Sequence, residues 1–282
     1  MLSNLQALFL GALQGISELF PVSSLGHSVI IPAVLGWHID EQAPFFLVFL
    51  VATHFATALV LFIYFWKDWF RIIGGVLRSV PKLNVNIDAD AKLGWLIIVS
   101  TIPAGILGLV FQDQIRSYFI APLSAAFFLF ANGILLYVAE RYRRKAPDRV
   151  VSDSRIAELS FGQGILVGTM QSLALIPGFS RTGASIAGGL IVGLSHEDAV
   201  RFSFLLATPI IGAAAALKLP SLLKVGSAEL MASVIGAAAA AVFAYLAVRF
   251  LTRYFAIEKN TLTPFAIYCA VAGLLALLIL AL

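Results

Sequence analysis

Long apolar runs follow one another along the chain at about Phe45–Trp66, Leu93–Phe111, Leu123–Ala139, Phe202–Leu217, Leu230–Leu251 and Leu262–Leu282. About 20 apolar residues of helix cross a hydrocarbon core, so six transmembrane helices are expected. Two further apolar stretches are interrupted. Met1–Trp37 carries Gln14 to His27, QGISELFPVSSLGH, and about Leu159–Leu194 carries Pro177 to Ser185, PGFSRTGAS. Proline removes a helical donor and clashes with the preceding turn, and serine is a preferred N-cap. Each stretch therefore reads as two short helices joined by a non-helical turn, with new helices starting at Ser24 and Ser180. Non-helical backbone at membrane depth needs cover from protein or a cavity, which favours re-entrant hairpins over extra crossings.

The order is one broken stretch and three spans, then the same again. Gly11, Gln14, Gly15, Glu18, Pro21, Ser24 and Gly26 answer to Gly164, Gly168, Gln171, Pro177, Ser180 and Gly183. Proline precedes the serine by three residues in both, whereas the acid or amide precedes the proline by three in one and six in the other. Both stretches carry Gly-x-x-x-Gly, which lets helices approach closely. Three spans per repeat invert the second half. The expected fold is all-α and polytopic: six transmembrane helices plus two re-entrant helical hairpins in an inverted-topology repeat. It forms a single membrane domain over 1–282, with repeats at approximately 1–141 and 155–282.

Composition excludes a soluble protein. The chain is 60% hydrophobic and 12% charged, against about 45–50% and 25% for soluble domains, and its mean hydropathy is +0.96. One cysteine, Cys269, excludes a disulfide and a cysteine-ligated metal. No Lys or Arg precedes Lys67, so the opening run is not read as a signal peptide.

Charge orients the spans. With the N-terminus outside, fifteen cations face inwards: Lys67, Arg71, Arg78, Lys82, Lys92, Arg141, Arg143, Arg144, Lys145, Arg149, Arg155, Arg201, Arg249, Arg253 and Lys259. Only Arg116, Lys218 and Lys224 face outwards. This positive-inside bias puts both termini outside. Trp66 and Trp69 are expected at the inner interface and Trp37 at the outer.

Arg181 is the one cation left over, and it lies in the second interrupted stretch. Ionisable groups within the membrane point to function. Helix N-termini at Ser24 and Ser180 offer free N–H groups to an anion, and half-helix ends often meet at a central site in inverted repeats. Arg181 adds a planar fork suited to phosphate, and Ser180, Thr182 and Ser185 add hydroxyls. Gln14 and Glu18 share a helix face and can supply oxygen to a hard cation. Ser24 and His27 are spaced as a nucleophile and its base. Together these suggest phosphoryl transfer. Plainer readings exist: Ser23 and Ser24 as caps only, Glu18–Arg181 as a structural ion pair, and Gln14 and Asn132 as interhelical hydrogen-bonders. His54 reads as structural, though near Thr53 and Thr57 it could face the site. His38 and His196 read as loop residues, and Arg201 and Ser203 as an inner-interface helix start.

These motifs carry a resemblance over nearly the whole chain. Gln14, Glu18, Ser23, Ser24 and His27 match the Glu/Gln-x-x-x-Glu…PVSS-x-GH pattern of the bacterial undecaprenyl-pyrophosphate phosphatases, or bacitracin-resistance proteins. Pro177, Gly178, Ser180, Arg181, Thr182 and Ser185 match their PG-x-SR motif. The resemblance implies hydrolysis of a polyprenyl pyrophosphate, undecaprenyl pyrophosphate, to undecaprenyl phosphate and phosphate, recycling the carrier lipid of cell-wall glycan synthesis. It implies Glu18, Ser24, His27 and Arg181 as catalytic and Ser23, Ser180, Arg181, Thr182, Gly183 and Ser185 as phosphate-binding. Gln14 and Glu18 would hold a divalent cation, Mg²⁺ or Ca²⁺. It also implies the bacterial plasma membrane, with the site towards the outer side. No nucleic acid is expected as partner, and a homodimer is left open. Two departures stand out: many members have Glu at the position of Gln14, and the commoner second motif is SRS-x-x-T, where this chain has Thr182 and Ser185.

A lipid or anion transporter is the rival reading, since inverted repeats and broken helices are transporter traits; a transporter has no need of a nucleophile. A histidine-nucleophile lipid phosphatase is disfavoured, because its Lys-x6-Arg-Pro motif is missing.

Overall fold

The computed structural model describes residues 2–37, 39, 43–119, 121–143, 153–222, 226–257 and 259–282; of the residues named above, Met1, His38, Arg144, Lys145, Arg149 and Lys224 lie outside these. Among the described residues every regular element is helical. The α-helices are α1 (Asn4–Leu19), α2 (Ser24–Val34), α3 (Pro44–Tyr64), α4 (Trp66–Ser79), α5 (Ala89–Phe119), α6 (Pro122–Tyr142), α7 (Asp153–Ala157), α8 (Phe161–Gln171), α9 (Arg181–Ile191), α10 (His196–Leu222), α11 (Ser227–Phe255) and α12 (Thr263–Ala281). A 3-10 turn, Ser172–Leu175, follows α8.

The helices α3, α5, α6, α10, α11 and α12 are the six long and apolar enough to cross a membrane. They match the six expected spans, with α5 and α10 starting a turn or more earlier through polar residues that hydropathy alone does not register. By contrast α2, α8 and α9 have 11 residues each. At 1.5 Å per residue each is about 16 Å long, half a hydrocarbon core.

The two Gly-x-x-x-Gly pairs act as close-packing surfaces, and they do so on different partners. α1 packs on α11 and α8 packs on α5. A Cβ at Gly11 or Gly15 would meet the backbone of Gly236 or Ala240 of α11, and one at Gly168 would meet the backbone of Ser100 of α5. α6 and α12 pair with each other, and α3 lies between α10 and α11. Buried leucines and phenylalanines, among them Leu61, Leu96, Leu129, Phe202 and Phe204, form the main core between these helices.

The helix α4 was not expected. α4 follows α3 directly, burying Trp69, Ile72, Gly75 and Ser79 while exposing Lys67, Arg71 and Arg78. Its three-to-four-residue alternation is that of a helix lying in an interface plane. Arg71 pairs with Asp68 at 2.6 Å and with Asp90 at 3.1 Å, Arg78 with Asp88 at 2.9 Å, and Arg201 with Asp68 at 3.1 Å. Surface pairs add little stability; here they fix α4 against the starts of α5 and α10. Asp88 accepts from Ala91 N–H at 2.7 Å, and that bond, with Arg78, holds its carboxyl below the usual range.

A second clasp ties α6, α10 and the approach to α12. Glu140 Oε2 accepts from His196 Nε2 at 2.8 Å and from Leu262 N–H at 3.0 Å. His196 thus begins a helix and holds this clasp, rather than sitting in a loop as expected.

Candidate active site

The turns that interrupt the two apolar stretches touch. Gly178 N–H donates to Ser23 Oγ at 3.2 Å, Ser180 Oγ to the Phe20 carbonyl at 3.3 Å, and Thr182 Oγ1 to the Glu18 carbonyl at 2.8 Å. Asn132, fully buried on α6, bridges them. Its Nδ2 donates to the Pro21 carbonyl at 3.0 Å, and its Oδ1 accepts from Ser180 N–H at 3.0 Å. It joins the two turns, and through Nδ2 to Cys269 Sγ of α12 at 3.4 Å it also makes the interhelical bond expected of it. Backbone geometry is unusual on both sides: Ser23 has φ 66° and Gly178 has φ 108°. A Cβ on Gly26 would come to 3.0 Å from Gly178 Cα, so only glycine fits there without a shift.

The caps revise one expected equivalence. Ser23, not Ser24, is the N-cap of α2, accepting from Gly26 N–H at 3.2 Å. Ser180 caps α9, accepting from Gly183 N–H at 3.0 Å. Ser23 thus answers to Ser180, and Ser24 to Arg181, each the first helical residue. The three extra residues before Pro177 are absorbed by the 3-10 turn after α8.

Glu18, at the end of α1, is the hub. Its Oε2 accepts from Ser24 Oγ at 2.6 Å and from Gln14 Nε2 at 3.2 Å, and lies 3.3 Å from His54 Nε2. Its Oε1 accepts from Arg181 Nε at 3.3 Å. Arg181 also donates from its two terminal nitrogens to the Ser203 carbonyl at 3.3 Å and to Thr182 Oγ1 at 3.1 Å. All these side chains except those of His54 and Arg181 are nearly sealed. A charged group in such a setting persists only when paired, and Glu18 is the common partner. A serine hydroxyl bonded at 2.6 Å to a carboxylate is a poised nucleophile–base pair, next to a guanidinium able to hold a phosphate.

His27 is in the same cluster but is not paired with Ser24. Its Nδ1 is 2.6 Å from the Ser23 carbonyl and its Nε2 is 2.8 Å from Tyr268 Oη of α12. The two rings stack at 5.8 Å. In this structure the carboxylate, not the imidazole, is the basic group on Ser24. Of the expected phosphate ligands, Ser23 and Ser180 are the caps, and Thr182 bonds Glu18 and Arg181. Ser185 bonds the carbonyls of its own turn and Ser203 Oγ, at 2.6 Å. One site member, Tyr268, carried no signal in the sequence; His54, read as structural but able to face the site, does meet Glu18.

The cation pair Gln14 and Glu18 is brought together. Gln14 Oε1 is buried with no hydrogen-bond partner, an orphaned hard acceptor beside a carboxylate. Among the described residues no cluster of three His, Cys, Asp or Glu surrounds it. Gln14 Oε1 and the Glu18 carboxylate are the oxygen donors the site could offer a hard cation.

Six apolar spans around a buried serine–carboxylate–arginine cluster define an integral membrane protein built to handle an anionic group inside its helical bundle. The chain belongs to the bacitracin resistance protein BacA family, whose model matches residues 7–275. It is 47% identical to an undecaprenyl-diphosphatase of Mycolicibacterium paratuberculosis, covering 96% of this chain and 95% of that one. It is 42% identical to an undecaprenyl-diphosphatase of Acidiphilium cryptum, covering 99% of each. With undecaprenyl-diphosphatase 2 of Chromobacterium violaceum it shares 43% identity over 98% of this chain and 99% of that one.

Proposed function

We propose that the chain hydrolyses undecaprenyl pyrophosphate to undecaprenyl phosphate and phosphate within the membrane, recycling the lipid carrier for cell-wall synthesis. The observation that carries the reading is the Ser24 hydroxyl on Glu18, flanked by Arg181, at the start of α2. Ser24 Oγ attacks the terminal phosphorus as its proton passes to Glu18, and the bond to the bridging oxygen breaks to release undecaprenyl phosphate. Glu18 gives that proton to the departing undecaprenyl phosphate. Water then attacks the phosphoserine, losing a proton to the restored carboxylate, which returns it to Ser24 Oγ as phosphate leaves. Arg181 and the N–H groups of α2 and α9 face the developing charge. Gln14 Oε1 and Glu18 would hold a divalent cation, Mg²⁺ or Ca²⁺, which when bound neutralises phosphate charge. A transporter has no use for the serine–carboxylate pair.

The test is phosphate release by the purified protein from a polyprenyl pyrophosphate, with and without chelator. Release that stops with chelator and returns with Mg²⁺ or Ca²⁺ is expected. No release at all sinks the phosphatase reading, and release indifferent to chelator sinks the cation.

The same reading includes an inverted repeat with two re-entrant hairpins, α1–α2 and α8–α9. Two features support it: the short helices are half a bilayer long, and the pairings α1 on α11 and α8 on α5 exchange under swapping of the repeats. The positive-inside bias supports both termini on the outer side, and the family resemblance supports a site open to that side. In a Cys269→Ala background, an impermeant thiol reagent on intact cells should label a cysteine at Ser227 and not one at Ser152, which lies outside the described residues. The opposite labelling would reverse the orientation.

A further inference from the structure

The residue before Ser24 is held in an uncommon backbone form. Ser23 has φ 66° and ψ 99°. A residue with a Cβ stays at positive φ only where its surroundings hold it there. The Ser23 hydroxyl accepts from Gly26 N–H and from Gly178 N–H, each at 3.2 Å. The Ser23 carbonyl accepts twice from His27, from the backbone N–H at 3.2 Å and from ring Nδ1 at 2.6 Å. A carbonyl only accepts, so Nδ1 carries a proton, and in the neutral ring Nε2 accepts from Tyr268 Oη at 2.8 Å. The phenol ring lies flat against the imidazole, 8° from parallel.

Tyr268 stands on a firm base. α12 is pressed onto α6: a Cβ at Gly133 would meet the backbone of Ala266 and Ala270, and one at Gly273 the backbone of Phe130. The next residue along α12, Cys269, reaches the other end of the same turn, donating from Sγ to the Pro21 carbonyl at 3.7 Å. Asn132 of α6 donates to that carbonyl too. The turn that delivers Ser24 is thus gripped at Pro21 by Cys269 and Asn132, and at Ser23 by His27 with Tyr268 behind it.

Resting on the phosphatase reading above, we propose that Tyr268 is a positioning residue for the reaction. Through His27 it holds the Ser23 carbonyl, keeps the turn in its bent form, and so aims Ser24 Oγ at Glu18. Its hold on Ser24 runs through one imidazole and one carbonyl. Without the phenol hydroxyl the imidazole is free to swing, the carbonyl loses its shortest bond, and Ser24 samples positions away from the carboxylate. Arg181 and the start of α9 lie on the other hairpin, outside this brace. The loss therefore falls on kcat rather than on KM.

The experiment uses the full-length protein in detergent as Tyr268→Phe, His27→Ala and the double variant. Phenylalanine keeps the stacked ring and removes only Oη. In Tyr268→Phe, kcat on a polyprenyl pyrophosphate should fall about tenfold, near the worth of one hydrogen bond, with KM and melting temperature close to the parent. In the His27→Ala background the same change should cost less than about twofold, because the brace is already cut. The ring-nitrogen NMR spectrum of histidine-labelled protein reads the contact apart from turnover. The His27 signals, identified by their loss in His27→Ala, should show the proton on Nδ1 in the parent and a moved Nε2 resonance in Tyr268→Phe. An unmoved Nε2 resonance overturns the brace, and this holds even if His27→Ala is too slow for its rates to be compared. Parental kcat in Tyr268→Phe overturns the positioning role. So does an equal tenfold loss in both backgrounds, which would put the phenol on the substrate, and so does a loss that follows a fall in melting temperature. A parent that releases no phosphate fails the phosphatase reading instead, and the nitrogen spectra still report whether Tyr268 holds His27.

Discussion

Glu18→Gln is expected to abolish turnover, with a loss of at least ~10⁴-fold. Removing a general base alone costs about 10²–10⁴, and Glu18 is more than a base in this site. It is the acceptor for Ser24 at 2.6 Å and the counter-charge of Arg181, with His54 Nε2 at 3.3 Å. A neutral amide leaves Arg181 unbalanced near the bundle interior, and breaking a buried pair by removing one partner costs up to about 3–5 kcal/mol. The melting temperature should therefore fall as well, so the variant needs a companion that leaves the charges alone. Ser24→Ala is that companion. It deletes the hydroxyl, keeps the Glu18–Arg181 pair, and should be as inactive as Glu18→Gln to within tenfold while melting like the parent. His27→Ala should be milder than either, because its imidazole bonds Ser23 and Tyr268 rather than Ser24. Turnover and melting temperature measured on all three decide the matter. A Ser24→Ala protein that keeps most of its rate would exclude serine attack and favour a water activated by Glu18 or His27. A His27→Ala protein deader than Glu18→Gln would return the base to the imidazole.

The parts of this arrangement that were legible in the sequence are those that break a pattern. Pro21 and Pro177 interrupt apolar runs, and the chain does turn beside each. The glycine pairs mark close helix contacts because a missing Cβ has one packing use in an apolar helix, and Gly11, Gly15 and Gly168 all meet backbone. Glu18, Ser24 and Arg181 stood out as polar groups in apolar surroundings, and they converge. What was hidden depends on direction rather than composition. Ser24 and His27, three apart on one helix, looked like a pair. Ser24 begins α2 and faces back to the end of α1, whereas the bond from His27 Nδ1 to the Ser23 carbonyl turns its other nitrogen to α12. The equivalence of Ser23 with Ser180 was hidden by the three residues wound into the 3-10 turn. His54 lay in a span with no motif around it, and only tertiary contact reveals that its ring meets Glu18. α4 was missed because its alternation begins at once after an apolar span, where hydropathy averages the two together.

Arg181→Lys carries the second large effect and separates a catalytic arginine from a structural one. The guanidinium has five N–H donors. One goes to Glu18 Oε1, one to the Ser203 carbonyl and one to Thr182 Oγ1. Two of the five donors, on the terminal nitrogens, are not taken up by these bonds and can meet oxygens of a phosphoryl group. Charge on those oxygens rises as the bond to the leaving group breaks, so the contact strengthens in the transition state. Lysine keeps one positive charge near Glu18 but loses the fork. The expected loss is at least ~10²-fold in turnover, roughly 2.7 kcal/mol, with the melting temperature within a few degrees of the parent. If the Glu18–Arg181 pair only holds α1 against α9, lysine should replace arginine in part, and any fall in activity should follow a fall in melting temperature. Both quantities are read from one preparation of the variant. A stable, inactive protein assigns the arginine to the phosphoryl group, and a stable protein with near-normal turnover removes it from the chemistry and leaves the ion pair as its whole role.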